Sequence, residues 1–140
     1  VGPVGGGGRL AGVGLAIKAV SPGIEVVAAG PAGGDDAFRS FGLGRLGPQD
    51  NPRTIADGLL TSLGELNYAI IRKHVDTIVT VEEASIVRAM RLQWTRLKSV
   101  VEPSGAVSFA AVLEHPERFS GRRVACVISG GNVDLDNLPW

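Results

Sequence analysis

The stretch Val1-Gly2-Pro3-Val4-Gly5-Gly6-Gly7-Gly8-Arg9-Leu10-Ala11-Gly12-Val13-Gly14-Leu15-Ala16-Ile17-Lys18-Ala19-Val20 opens the chain and decides its fold. The residues before the glycine run read as the stub of a strand. Arg9 to Val20 is rich in Ala, Leu, Ile and Val and reads as a helix. Gly12 and Gly14 cost that helix roughly 1 kcal/mol each relative to Ala, which close packing on a sheet would explain. A glycine loop between a strand and a helix can curl so that successive backbone N–H groups point inward. The helix then adds the positive end of its dipole, and the two together suit a phosphate dianion. No Gly-Lys-Ser/Thr follows, so the run is not a Walker loop, and it lacks the spacing of the dinucleotide fingerprint. A flexible linker is the plain alternative, but linkers do not normally run straight into an apolar helix.

Outward from that stretch the pattern alternates. Ser21-Pro22-Gly23 is a turn. Ile24 to Ala29 is nearly continuous in apolar residues, as a buried parallel strand is. Asp35 to Phe41 reads as a short helix capped by Asp35, and Gly42 to Asn51 as loop. Thr54 to Ser62 has no clear period. Leu66 to His74 reads as a helix and Thr77 to Val81 as a strand. Thr80 and Glu83 have the spacing of a capping box, and Ile86, Val87, Met90, Trp94, Leu97 and Val101 follow at helical intervals up to Pro103. Ser104 to His115 predicts a further helix, and Arg123 to Ile128 a third strand. The order implies an α/β domain, a parallel sheet with helices on both faces.

Composition narrows the function. The 140 residues carry a formal net charge of zero, and no run of Asp, Glu, Lys or Arg exceeds two. That excludes the footprint of a nucleic-acid binder or a polybasic membrane surface. The absence of a long apolar stretch predicts a soluble, cytoplasmic chain with no membrane contact. The single cysteine, Cys126, reads as an inert core thiol. His74 and His115 stand alone near helix ends, where surface or dipole roles are the expectation. Arg96 is a candidate for a structural ion pair without an assignable partner.

Four motifs appear in fixed order: Pro3-Val4-Gly5-Gly6-Gly7-Gly8, Thr54-Ile55-Ala56-Asp57-Gly58, Glu102-Pro103-Ser104-Gly105-Ala106, and Ser129-Gly130-Gly131-Asn132-Val133-Asp134. In this combination the chain resembles the serine racemase and biosynthetic-type threonine dehydratase family, pyridoxal-phosphate (PLP) enzymes of fold type II. The resemblance implies that residues 1–140 form the C-terminal part of the cofactor-binding large domain. It implies that Gly5, Gly6, Gly7 and Gly8 hold the phosphate of pyridoxal 5'-phosphate through backbone amides and that Gly58 lies against the cofactor. Ser129 would meet the pyridine nitrogen, Glu102 would stand in the site wall without donating a proton, and Asn132 would support the final turn. A neutral hydroxyl opposite the ring nitrogen does not enforce its protonation, which suits β-elimination or racemisation better than transamination.

The family's chemistry also needs a lysine that forms a Schiff base with the cofactor and abstracts the α-proton. None of Lys18, Lys73 and Lys98 fits. Lys18 lies ten residues past Gly8, roughly 15 Å along a helix. The expectation is that this lysine, the small domain and the substrate-carboxylate contacts lie upstream, in a missing N-terminal half, so that no residue of this chain is the catalytic lysine. Metal-binding members place a Glu where this chain has Gly30. Asp36 and the Gly34 carbonyl match, but one hard ligand is lost, so no metal site is expected and Asp35 or Asp36 reads better as a helix cap.

The implied reaction is β-elimination from a small β-hydroxy amino acid, L-threonine or L-serine, to a 2-oxo acid and ammonia, in a full-length homodimer. Serine racemase, phenylserine dehydratase and 3-hydroxyaspartate dehydratase share the motifs. Loss of the metal-site Glu weighs against the racemase and hydroxyaspartate branches. A fragment or subunit inactive alone, and a nucleotide-binding α/β domain, are the readings from other classes.

Overall fold

The computed structural model describes residues 1–140. Three strands, β1 (Gly2–Pro3), β2 (Val27–Pro31) and β3 (Thr77–Val81), form a parallel sheet in the order β1-β2-β3. The helices are α1 (Gly8–Val20), α2 (Asp36–Leu43), α3 (Glu65–His74), α4 (Glu83–Leu92), α5 (Pro103–Glu114) and α6 (Pro116–Phe119). A five-residue π-helical turn, Gln93–Leu97, prolongs α4.

The side-chain alternation of β2 and β3 divides the core in two. Ala29 and Val81 face α4 and α5, where Ile86, Met90, Ala106, Val107 and Ala110 are fully buried. Ala28 and Ile78 face the opposite way, against Leu10 and Ala11 of α1 and Ile71 of α3. Both faces of the sheet are therefore covered, and all five residues of β2 are buried. Glycine-rich and alanine-rich segments let the layers approach closely. At Gly14, for instance, an added Cβ would lie 3.4 Å from the His74 carbonyl oxygen.

Packing, rather than capping, sets the helix boundaries. None of α1 to α5 has a side-chain hydrogen bond at its N-cap. Burying Ile71 or Ile86 completely is worth about 1.5–3 kcal/mol, more than the roughly 1 kcal/mol of a cap. The expected capping box is absent for this reason. Thr80 stays in the sheet, paired with Gly30, and the Glu83 carboxylate accepts the Ile55 amide at 2.8 Å instead. Asp35 does not cap α2 either; its carboxylate pairs with Arg39 one turn on, at 2.8 Å.

Other boundaries also shift. The first long strand is Val27–Pro31 rather than 24–29, because exposed Glu25 turns outward to pair with Arg118 and Arg122. The helix after β3 ends at Lys98, which adopts a left-handed conformation (φ 57°), well before Pro103. Residues 123–128 form no regular strand. They pair with Val1, whose backbone nitrogen donates to the Ala125 carbonyl (2.7 Å) and whose carbonyl accepts the Val127 amide (2.9 Å). Two bonds straddling Cys126 follow the parallel pattern, so this segment continues the sheet beyond β1 for a single residue pair. No helix is long and apolar enough to cross a membrane.

Candidate functional site

The glycine run leaves β1 and enters α1, as the sequence predicts. Gly5, Gly6 and Gly7 belong to no helix or strand, and their amides donate no hydrogen bond to backbone or side chain within the chain. Gly8 opens α1, where the first amides have no intrahelical acceptor. The four glycines, with Pro3, Gly58 and Leu59, line a cavity of about 160 Å³. Unpaired donors at the head of a 13-residue helix fit a phosphate dianion.

The reason for glycine here is visible on the other side of the loop. Gly7 has φ +87°, and a Cβ on it would lie 2.5 Å from Leu63 Cδ1 and 2.9 Å from Asn67 Cβ. A Cβ on Gly5 would lie 3.0 Å from Thr61 Oγ1 and 3.1 Å from Leu59 Cα. The run is thus pressed against residues 59–67 and open toward the cavity. The 59–67 segment is itself anchored. Asp36, buried at the start of α2, accepts the Leu63 amide at 2.9 Å through Oδ2. Burial pushes the Asp36 carboxyl above its usual range, against the opposing pull of the Leu63 and Ala37 amides.

Two further predicted site residues, Gly58 and Ser129, are joined by one hydrogen-bonded path through Ser104. The Gly58 amide donates to Ser104 Oγ at 3.0 Å, and also to Asp57 Oδ1 at 2.8 Å. Ser129 Oγ donates to the Ser104 carbonyl at 3.4 Å. Ser104, buried in the first turn of α5, therefore links the cavity wall to Ser129. Sequence reasoning quoted Ser104 within a motif and gave it no role. Its signal was there: a serine just after Pro103 at the first helical position sits where hydroxyls meet backbone donors.

Glu102 supports the last turn. Its amide donates to the Gly130 carbonyl (3.1 Å), and its Oε2 accepts the Asn132 amide (2.8 Å). Gly105 accommodates that turn, since a Cβ there would lie 2.5 Å from the Gly130 carbonyl oxygen. Asn132 enters this network through its backbone, not its side chain.

The lysines stand elsewhere. Lys18 Nζ contacts Asp76 at 2.8 Å and the Ile24 carbonyl at 2.8 Å, at the far end of α1 from the glycines. Burial works to raise the Asp76 carboxyl, but the Lys18 ammonium and the Val26 amide outweigh it and hold the group below its usual range. Lys73 and Lys98 are exposed. No three His, Cys, Asp or Glu side chains converge anywhere in the chain. Burial pushes the Cys126 thiol up, away from the reactive thiolate. His115 is tied to the sheet, its Nε2 3.0 Å from the Thr80 carbonyl oxygen. Arg96 forms no ion pair and lines a separate groove with Leu92, Gln93 and Phe109.

Comparison with known proteins gives the family and the fold. A family model described as pyridoxal-phosphate dependent enzyme matches residues 1–130. The chain is 47% identical over 140 residues to the beta-hydroxyaspartate dehydratase of Paracoccus denitrificans (strain Pd 1222), covering 100% of this chain and 44% of that protein. It is 44% identical over 140 residues to the serine racemase of Dictyostelium discoideum, covering 97% of this chain and 43% of that one. The crystal structure of the T.th. threonine deaminase superposes with a TM-score of 0.91 at 49% identity, over 96% of this chain and 49% of that chain. The chain spans less than half the length of each of these proteins.

Proposed function

The chain belongs to the pyridoxal-phosphate dependent enzyme family, and we propose that it supplies the phosphate and ring contacts of an enzyme that eliminates the β-hydroxyl of a small amino acid. The products are a 2-oxo acid and ammonia. The observation that carries this reading is the set of three unpaired amides, Gly5 to Gly7, at the head of α1, linked through Gly58 and Ser104 to Ser129. When bound, the cofactor supplies an electron-withdrawing ring that accepts the electrons of the Cα–H bond.

In this reading the residues divide the work. The amides of Gly5, Gly6 and Gly7 bind the phosphate and fix its position, aided by the α1 dipole. Gly58 leaves room for a flat ring beside the cavity, because its only close Cβ neighbour would be Ser104, with Oγ at 3.0 Å. Ser129 turns its hydroxyl from a long 3.4 Å bond toward the ring nitrogen; hydroxyl protons rotate freely to suit a better partner. Being neutral, it orients the ring without holding a full proton on the nitrogen. Ser104 and Glu102 hold the two sides of that turn in place. The proton-abstracting lysine comes from a part of the full-length enzyme outside residues 1–140, since Lys18 is committed to Asp76. Residues 1–140 are then the C-terminal part of the large domain, inactive alone and working in a cytoplasmic homodimer.

L-threonine and L-serine are the substrates we favour, on the motif set and the threonine deaminase likeness. A second reading, a 3-hydroxyaspartate substrate, is supported by the 47% identity to the Paracoccus dehydratase. The loss of the metal-site Glu at Gly30 weighs against it. The test is 2-oxo acid release by the full-length protein from L-threonine, L-serine and the 3-hydroxyaspartates. Release from the first two supports the favoured reading. Release from the hydroxyaspartates alone replaces it with the second, and release from none rejects both.

A further inference from the structure

Four consecutive glycines have no side chains to fix the orientation of the peptide planes between them. Such planes flip at little cost, and a flip of the Gly6–Gly7 unit would turn a carbonyl oxygen, instead of an N–H, toward a bound anion. Something outside the run must hold that plane. Asn67, half-buried in the first turn of α3, donates from Nδ2 to the Gly6 carbonyl at 2.6 Å. The Gly64 amide adds a longer bond to the same oxygen, at 3.4 Å.

We propose that Asn67 is a positioning residue of the phosphate cradle: by holding the Gly6 carbonyl toward α3, it aims the Gly7 amide at the phosphate. The proposal rests on the reading of Gly5 to Gly8 as a phosphate site. Its geometry is simple. Across a trans peptide the carbonyl and the following N–H point in opposite directions, and the chain contains no cis peptide bonds. With the Gly6 oxygen turned to Asn67, the Gly7 N–H leaves on the side away from α3. The cavity lies on that side, for no residue of 60–74 lines it. The Gly7 amide is also free of any partner within the chain.

Asn is a weak helix former in the interior of a helix because its side chain competes for nearby backbone groups. At the start of α3 that tendency is directed outward, onto a different loop. An apolar residue at position 67 could fill the same space but could not hold the carbonyl. A carboxylate would repel it.

The test compares ligands with and without the phosphate. Full-length protein stripped of cofactor is titrated with pyridoxal phosphate, with pyridoxal and with inorganic phosphate, as wild type, Asn67→Ala and Asn67→Asp. Loss of one hydrogen bond's orienting effect predicts about five- to tenfold weaker binding of pyridoxal phosphate by Asn67→Ala. Pyridoxal affinity should stay within about twofold, because only the phosphate contact is affected. Asn67→Asp keeps the shape and should lose at least as much, which covers a folding failure of the alanine variant. Unchanged pyridoxal phosphate affinity in a folded variant overturns the proposal. So does equal weakening of pyridoxal and pyridoxal phosphate, which is the mark of general structural damage. Wild-type protein that binds neither pyridoxal phosphate nor inorganic phosphate contradicts the phosphate site itself, and the role of Asn67 with it.

Discussion

Replacing Gly7 with alanine adds one methyl group at the point where the chain turns into α1. Two costs follow from the structure. A φ of +87° places an L-residue in left-handed territory, worth about 1–2 kcal/mol. The new Cβ also falls 2.5 Å from Leu63 Cδ1, 2.9 Å from Asn67 Cβ and 3.0 Å from Ile71 Cδ1. Leu63 and Ile71 are both buried in the core between α1 and α3, so neither tip can swing aside without repacking, and such overpacking costs about 1–3 kcal/mol. The sum is about 2–5 kcal/mol, a large share of the 5–15 kcal/mol typical of a folded domain. Gly12, one turn into the same helix, is the control. It is exposed, nothing lies within 4 Å of its added Cβ, and alanine there should stabilise by about 0.5–1 kcal/mol. Urea unfolding measures both. At a slope of about 2 kcal/mol per molar, Gly7→Ala lowers the midpoint by about 1–2.5 M, while Gly12→Ala holds or raises it. Equal midpoints for the two variants would refute the account of why glycine stands at position 7.

Three more outcomes are expected. Ser129→Ala in the full-length enzyme should slow 2-oxo acid release about tenfold, the rate equivalent of one hydrogen bond, while cofactor content stays near wild type; equal loss of cofactor would make Ser129 structural. Asp76→Asn should cost about 0.2–1 kcal/mol at neutral pH, since the Lys18 pair is partly exposed. The Asp76 carboxyl is held below its ordinary 3.8 in the folded chain, so its contribution is present above that pH and is lost as pH falls through the folded value. The variant and wild type should therefore converge in acid thermal melts, and a gap that persists in strong acid would contradict the ion pair. Borohydride treatment of this chain with pyridoxal phosphate should leave Lys18, Lys73 and Lys98 unmodified at stoichiometric ligand; a reduced adduct on Lys18 by peptide mass mapping would overturn its assignment to Asp76.

The sequence carried the architecture because its strongest signals are local. Thr77 to Val81 is a β-branched run and became β3 at those bounds; the apolar spacing after Glu83 marked α4. The boundaries that moved were set by distant partners. Glu25 left its expected strand for Arg118 and Arg122, and Thr80 stayed in the sheet because Gly30 lies beside it. Residues 123–128 looked like a strand, and they pair with Val1 in the parallel pattern without forming a regular strand. At the site, the glycines and Ser129 were legible as motifs. The residues that hold them were not. Ser104, Asp36 and Asn67 act through contacts 25 to 61 positions away in sequence, and no periodicity or cap rule reports such a pairing.

The central claim is that the amides of Gly5, Gly6 and Gly7 receive the phosphate of pyridoxal phosphate. Amide chemical shifts of glycine-labelled protein during titration with that ligand test it most directly. The account predicts large, saturable downfield shifts at Gly5, Gly6 and Gly7, reproduced in part by inorganic phosphate, with Gly12 and Gly23 unmoved. Saturable binding that leaves those three amides in place would contradict it.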